Sequence, residues 1–113
     1  MSQFLDPKIE TLNVDGAEET FTADLTVNRT ILENGEAGRV FGFTFANSTN
    51  SPAEVTVRDG ANKLKFVETV PGKDTKAVPL RFDTAGGLMV DSLAGPNASK
   101  VFVNCFYTPG FVS

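Results

Sequence analysis

Between Arg39 and Gly110 the chain reads RVFGFTFAN (39–47), AEVTVRDG (53–60), KLKFVETVPG (63–72), KAVPLRF (76–82), GLMVDSLAG (87–95) and KVFVNCFYTPG (100–110). Each run is one strand followed by its exit turn, because residues of alternating polarity end on Gly, Pro, Asn or Asp. Phe41, Phe43 and Phe45 share one phase, which predicts a central core strand, and Gly42 opposite them predicts a bulge or the close approach of another backbone. Leu64, Phe66 and Val70 share a second phase, and Val78, Leu80 and Phe82 a third. Upstream, Phe21, Ala23, Leu25 and Val27 alternate with Thr20, Thr22, Asp24 and Thr26, the pattern of a strand with one buried and one wet face. Arg29 to Glu33 either continues that strand or starts a short second one, closed by Asn34-Gly35. Seven or eight strands at this spacing, with no sustained 3.6-residue period, predict an all-β single domain: an antiparallel β-sandwich or jelly roll. The expected core is Phe41, Phe43, Phe45, Leu64, Phe66, Leu80, Phe82, Val90, Val101 and Val103.

Two strands carry extra information. Pro79 lacks the N–H that a central ladder position must donate, so KAVPLRF belongs at a sheet edge. KVFVNCFY has apolar residues on both phases: Val101, Val103, Cys105 and Tyr107 on one, Phe102 and Phe106 on the other. Such a strand is covered on both faces or faces a partner subunit.

At 113 residues the chain has the length of one domain, able to bury roughly two-thirds of its unfolded surface without metals or disulfides. Ten Phe supply large pieces for that core. The net charge of -4 and pI near 4.7 oppose the clustered Lys and Arg of nucleic-acid binding. The single Cys105 has no partner for an intramolecular bridge, and its phase with Val101 and Val103 makes it a small apolar core residue. Residues 1–18, MSQFLDPKIETLNVDGAE, stand apart from the domain at 19–113. Phe4, Leu5, Ile9, Leu12 and Val14 are scattered without alternation, which reads as an extended N-terminal arm or a frayed terminus. Its apolar content favours an arm that packs on its own domain or on a neighbouring subunit. The N-terminus has no positive region followed by an apolar one, and no run of 18 apolar residues occurs, so synthesis in the cytosol without membrane insertion is expected.

Catalytic chemistry is poorly supplied. There is no His and no Trp, so the usual general base at neutral pH and the Cys/His ligand set for zinc are both missing. Cys105 lacks an activating base. Glu18-Glu19 reads as a solvated pair, and Asp15, Asp59 and Asp83 near Gly turns do not form a twelve-residue calcium loop. The sequons at Asn28, Asn47 and Asn97 read as coincidence without a secretion signal. Gly35 to Arg39 and Thr84 to Gly87 lack the Lys and following helix of a phosphate loop. Arg39, Arg58, Lys63, Lys65, Lys73 and Lys76 read as edge-strand gatekeepers in preference to a basic patch.

Taken together, FGFTFANSTNSPAEVTVRDG, the hairpin to FVETVPGK, then VPLRF, GGLMVDSLAG and KVFVNCFY resemble small all-β virion proteins of tailed bacteriophages, over residues 40 to 107. The resemblance implies a non-enzymatic structural component of the particle: a capsid decoration or cement protein, or a head-tail or fibre-base component. It implies no cofactor, the major capsid protein or other virion subunits as partners, and no nucleic acid or membrane. A homo-oligomer is expected, with a trimer preferred. The arm lies outside the shared pattern. The expected assembly contacts are Phe4, Leu5, Ile9, Leu12, Phe102 and Phe106. The reading from a different class is a host-surface carbohydrate-binding or adhesion module, although sugar sites usually present a Trp or Tyr platform and Tyr107 is the single Tyr.

Overall fold

The computed structural model describes residues 16–59, 63–93 and 95–110. They form nine strands and a short 3-10 helix at Pro96–Lys100. The strands are β1 (Glu19–Asp24), β2 (Arg29–Leu32), β3 (Gly38–Asn47), β4 (Ala53–Asp59), β5 (Leu64–Val70), β6 (Asp74–Val78), β7 (Phe82–Thr84), β8 (Leu88–Val90) and β9 (Val101–Pro109). Two antiparallel sheets result. One has the order β1-β9-β3-β6, with β7 also paired to β3; the other has the order β2-β8-β4-β5.

The core lies between the sheets. Phe43 and Phe45 from β3 are fully buried together with Val55, Val57, Val70, Leu88, Val90, Val101, Val103 and Cys105. Phe66 crosses from the second sheet and meets Phe43 edge-on, with ring centroids 5.2 Å apart, and Phe45 likewise at 6.4 Å. Phe66 and Phe82 are partly buried against this cluster. The open side of the sandwich, where β5 and β6 are the two sheet edges, is bridged by a Lys76–Glu68 ion pair. Lys65 also sits 5.4 Å from the Phe82 ring centroid, so edge lysines here tie the layers and blunt the edges.

Four expectations need correction, and each has a local cause. Phe41 is buried but outside the core cluster. The register against β9 slips between Val40 and Gly42, so Phe41 is the extra residue of a β-bulge and its ring turns to the outer side of the sheet with Gly42. Leu64 is exposed because a second register shift places it opposite Arg58, whereas Phe66 pairs with Val57; one inserted residue sends Leu64 to the wet face. Leu80 is exposed because the run KAVPLRF is two strands, not one. Pro79 interrupts them, and Leu80 N–H donates to Val78 O at 2.9 Å in a tight turn. Both pieces pair with the outer side of β3, so the edge position that Pro79 implied is found.

Val27 also leaves the predicted strand and is exposed. Asp24 ends β1 by accepting hydrogen bonds from the Thr26 N–H at 3.2 Å and the Thr26 hydroxyl at 2.7 Å, a side-chain turn that competes with strand extension. Arg29 then opens β2 in the other sheet. At the opposite end, Gly87 joins β7 to β8 with φ of 92°. A Cβ there would stand 2.6 Å from Glu33 O, so both the backbone conformation and the close approach require glycine.

Candidate functional site

The strand with apolar residues on both phases, β9, lies in the interior of its sheet between β1 and β3. Its inner phase is Val101, Val103 and Cys105, all buried. Its outer phase is Phe102, Asn104 and Phe106. Phe102 keeps 41% of its surface exposed, and Phe106 is half-buried. Of the six expected contact residues these two therefore lie on one face, separated on it by Asn104. Phe4, Leu5, Ile9 and Leu12 lie outside the described residues.

Register defines what surrounds the two rings. Phe102 is flanked by Asp24 on β1 and Ala46 on β3, and Phe106 by Thr20 and Gly42. Between them the Thr22 hydroxyl donates to Asn104 Oδ1 at 2.7 Å, and Asn104 Nδ2 donates to Thr44 Oγ1 at 3.0 Å. These polar side chains satisfy one another along the sheet. The result is a face on which Phe102 and Phe106 stand on either side of a row of mutually satisfied Thr22, Asn104 and Thr44 side chains.

The rim is charged but paired. Asp24 bonds Arg29 Nη2 at 2.6 Å, and the Thr26 hydroxyl and the Arg29 guanidinium hold its carboxyl below the usual carboxylate range. Arg39 and Asp83 form a two-bond pair at 2.7 and 3.2 Å. Arg81 lies 4.7 Å from the Phe41 ring centroid, and a Cβ at Gly16 would stand 3.4 Å from the same ring. Arg58 pairs with Asp91 on the other sheet. With Arg39, Arg58 and Lys76 each in an ion pair on different strands, these cations do not converge on one patch.

Elsewhere the chemistry is muted. Cys105 is fully buried and burial pushes its thiol pKa up, which keeps it in the unreactive protonated form. Burial, and secondarily the negative charge of Glu19, also raises Tyr107; its side chain packs on the core. Among the described residues no group of three or more His, Cys, Asp or Glu is placed to hold a metal ion, and no helix is long and apolar enough to cross a membrane. A cavity of about 220 Å³ opens at one end of the sandwich, between Thr49, Pro52, Leu93, Asn97 and Val101. Among the described residues no aromatic side chain lines it.

Comparison of the chain with known protein families, with curated proteins and with solved structures finds no match.

Asn47 has a structural role at the start of the loop between β3 and β4. Asn47, taken as part of a chance sequon, is 2% exposed. Its Nδ2 donates to Ser51 O at 2.8 Å and Val70 O at 3.1 Å, and its Oδ1 accepts from the Thr49 N–H and hydroxyl. It holds the loop between β3 and β4 to the end of β5. The available signal was its position, since an Asn closing a strand and opening a Ser/Thr/Pro loop is a common side-chain turn former.

Proposed function

We propose that this chain is a structural protein of a tailed-bacteriophage virion, a capsid decoration or cement protein that strengthens the shell by adding buried contact between subunits. The observation that carries the reading is the outer face of the five-stranded sheet. A phenylalanine more than a third exposed, on a sheet whose neighbouring polar side chains are occupied with one another, suits a protein contact and supplies no reacting group. The resemblance over residues 40 to 107 supplies the particle.

The strand pairing supports the finer description of the fold as a jelly roll. β1 pairs with β9, β2 with β8, β3 with β6 and β7, and β4 with β5. The first half of the chain thus runs antiparallel to the second, as one long hairpin rolled into two sheets. Residues 1–18 form the extended arm in this reading, with Phe4, Leu5, Ile9 and Leu12 as further contacts. The partners are the major capsid protein or other virion subunits, and copies of the chain associate with one another, preferably as a trimer. The site of action is the virion, assembled in the cytoplasm of the bacterial host, and the mechanism uses no cofactor.

Phe102→Asp tests the surface. The new carboxylate would stand opposite Asp24 in the β1–β9 register, so a stability loss of about 1 kcal/mol is expected, and a urea transition confirms that the variant is folded before binding is measured. Binding to particles stripped of the protein is expected to weaken tenfold or more, the loss of roughly 1.4 kcal/mol of interface energy. Undiminished binding by the folded variant would remove this face from the contact.

A further inference from the structure

We propose that Asn34 is a site of spontaneous covalent modification, at which the side-chain amide is lost through attack by the Gly35 nitrogen and replaced by aspartate and isoaspartate. The reaction is a property of the isolated chain and stands apart from the virion role.

The turn between β2 and β3 presents both reacting groups. Asn34 and Gly35 are exposed, and the turn closes around them with the Glu36 N–H donating to Glu33 O at 2.9 Å. Gly35 has φ of 91°, which makes this a type II turn with glycine at its third position. A Cβ at Gly35 would meet nothing within 4 Å, so the nitrogen has neither a side chain of its own nor crowding neighbours on that side. Among the described residues no hydrogen bond engages the Asn34 carboxamide or the Gly35 N–H.

The other asparagines of the described chain differ in each respect. Asn47 is buried, and Asn104 is held by Thr22 and Thr44. Asn28 Oδ1 accepts from the Ser92 N–H at 2.8 Å. After Asn50 the Ser51 N–H donates to Thr49 Oγ1 at 3.3 Å, and after Asn97 the Ala98 N–H donates to Gly95 O at 3.4 Å. None of these five is followed by glycine.

The chemistry needs only water. The Gly35 nitrogen bonds to Asn34 Cγ and closes a five-membered imide ring, the Cγ–Nδ2 bond breaks, and ammonia leaves with the proton that the Gly35 nitrogen gives up. Because the reacting groups belong to adjacent residues, the attack is intramolecular, and an unanchored carboxamide is free to rotate into the attacking geometry. Water then opens the ring. Addition at Cγ restores the ordinary main chain with an aspartate, whereas addition at the Asn34 backbone carbonyl carbon routes the main chain through the side chain as isoaspartate. Both products place a new carboxylate between Glu33 and Glu36. Isoaspartate also adds one atom to a turn whose ends are tied a second time, by the Glu33 N–H donating to Glu36 Oε1 at 2.6 Å.

The test incubates the full-length chain at neutral pH and physiological temperature and follows it by peptide mapping, with separation of the isoaspartyl form. The peptide holding Asn34 should gain the mass difference between NH2 and OH and split into two products. Its rate should exceed that at Asn28, Asn47, Asn50, Asn97 or Asn104 by about tenfold or more, a barrier lower by about 1.4 kcal/mol. Asn34→Gln, which could close only a six-membered ring, should leave the peptide unconverted while the far-UV circular dichroism stays that of the parent chain. Conversion to aspartate alone would overturn the imide route. Conversion no faster than at Asn50, an exposed asparagine in another loop, would overturn the site.

Discussion

Replacing Phe43 by alanine is expected to lower the unfolding free energy by about 3–5 kcal/mol. The ring is fully buried and contacts three other aromatic groups: Phe45 stacked at 5.9 Å, Phe66 edge-on at 5.2 Å and Phe82 at 6.5 Å. It is the point at which the two sheets interlock, because Phe66 reaches across from β5 and Phe82 comes from the edge strand. Truncation removes the transfer free energy of the ring and leaves a void that flanking strands, fixed by their ladders, fill only in part. Natural domains hold only about 5–15 kcal/mol in total, so the variant should approach the limit of folding. A urea titration reads the change as a lower midpoint at unchanged slope. Leu64→Ala, at an exposed position, should stay within about 0.5 kcal/mol. A loss below about 1 kcal/mol for Phe43→Ala would contradict the packing.

Asn47→Ala should cost about 2–4 kcal/mol, from one or two buried backbone groups left without partners at roughly 1–3 kcal/mol each. The carboxamide satisfies four groups at once, and Val70 O and the Thr49 N–H are among its buried contacts. Gly72, on the turn between β5 and β6, approaches this loop so closely that a Cβ there would lie 2.7 Å from the carbonyl carbon of Asn50, which leaves the loop little room to rearrange. Asn97→Ala is the control: the same residue type in another sequon, but exposed, and expected to change stability by no more than about 0.5 kcal/mol. Equal melting temperatures for the two variants would show that Asn47 does not anchor the loop.

Much of the fold was legible because period-two alternation reports directly on which face is buried. Phe43, Phe45, Val90, Val101 and Val103 all fall where alternation put them, and Gly42 marked the bulge. The misreadings cluster where an inserted residue resets the phase. Phe41 and Leu64 are in step with their neighbours along the chain, yet each lies across a register shift that depends on the partner strand. Nothing in a single strand's pattern encodes that shift. Leu80 failed for a local reason, since Pro79 broke the strand instead of merely placing it at an edge. The candidate surface was half legible: two-phase apolarity in KVFVNCFY identified Phe102 and Phe106, whereas the flanking Thr22, Asn104 and Thr44 network comes from three strands far apart in sequence.

In the proposed function the chain contributes buried interface to an assembled shell. Whatever binds the assembled state and not the dispersed one shifts the balance toward assembly, and no ligand, metal or thiol chemistry enters that mechanism. The most direct measurement is the temperature at which genome-filled particles burst, compared with and without this protein. Particles lacking it should burst at a lower temperature, addition of the purified chain should restore the difference, and chelator or reductant should leave it unchanged. Equal burst temperatures with and without the protein would contradict the account.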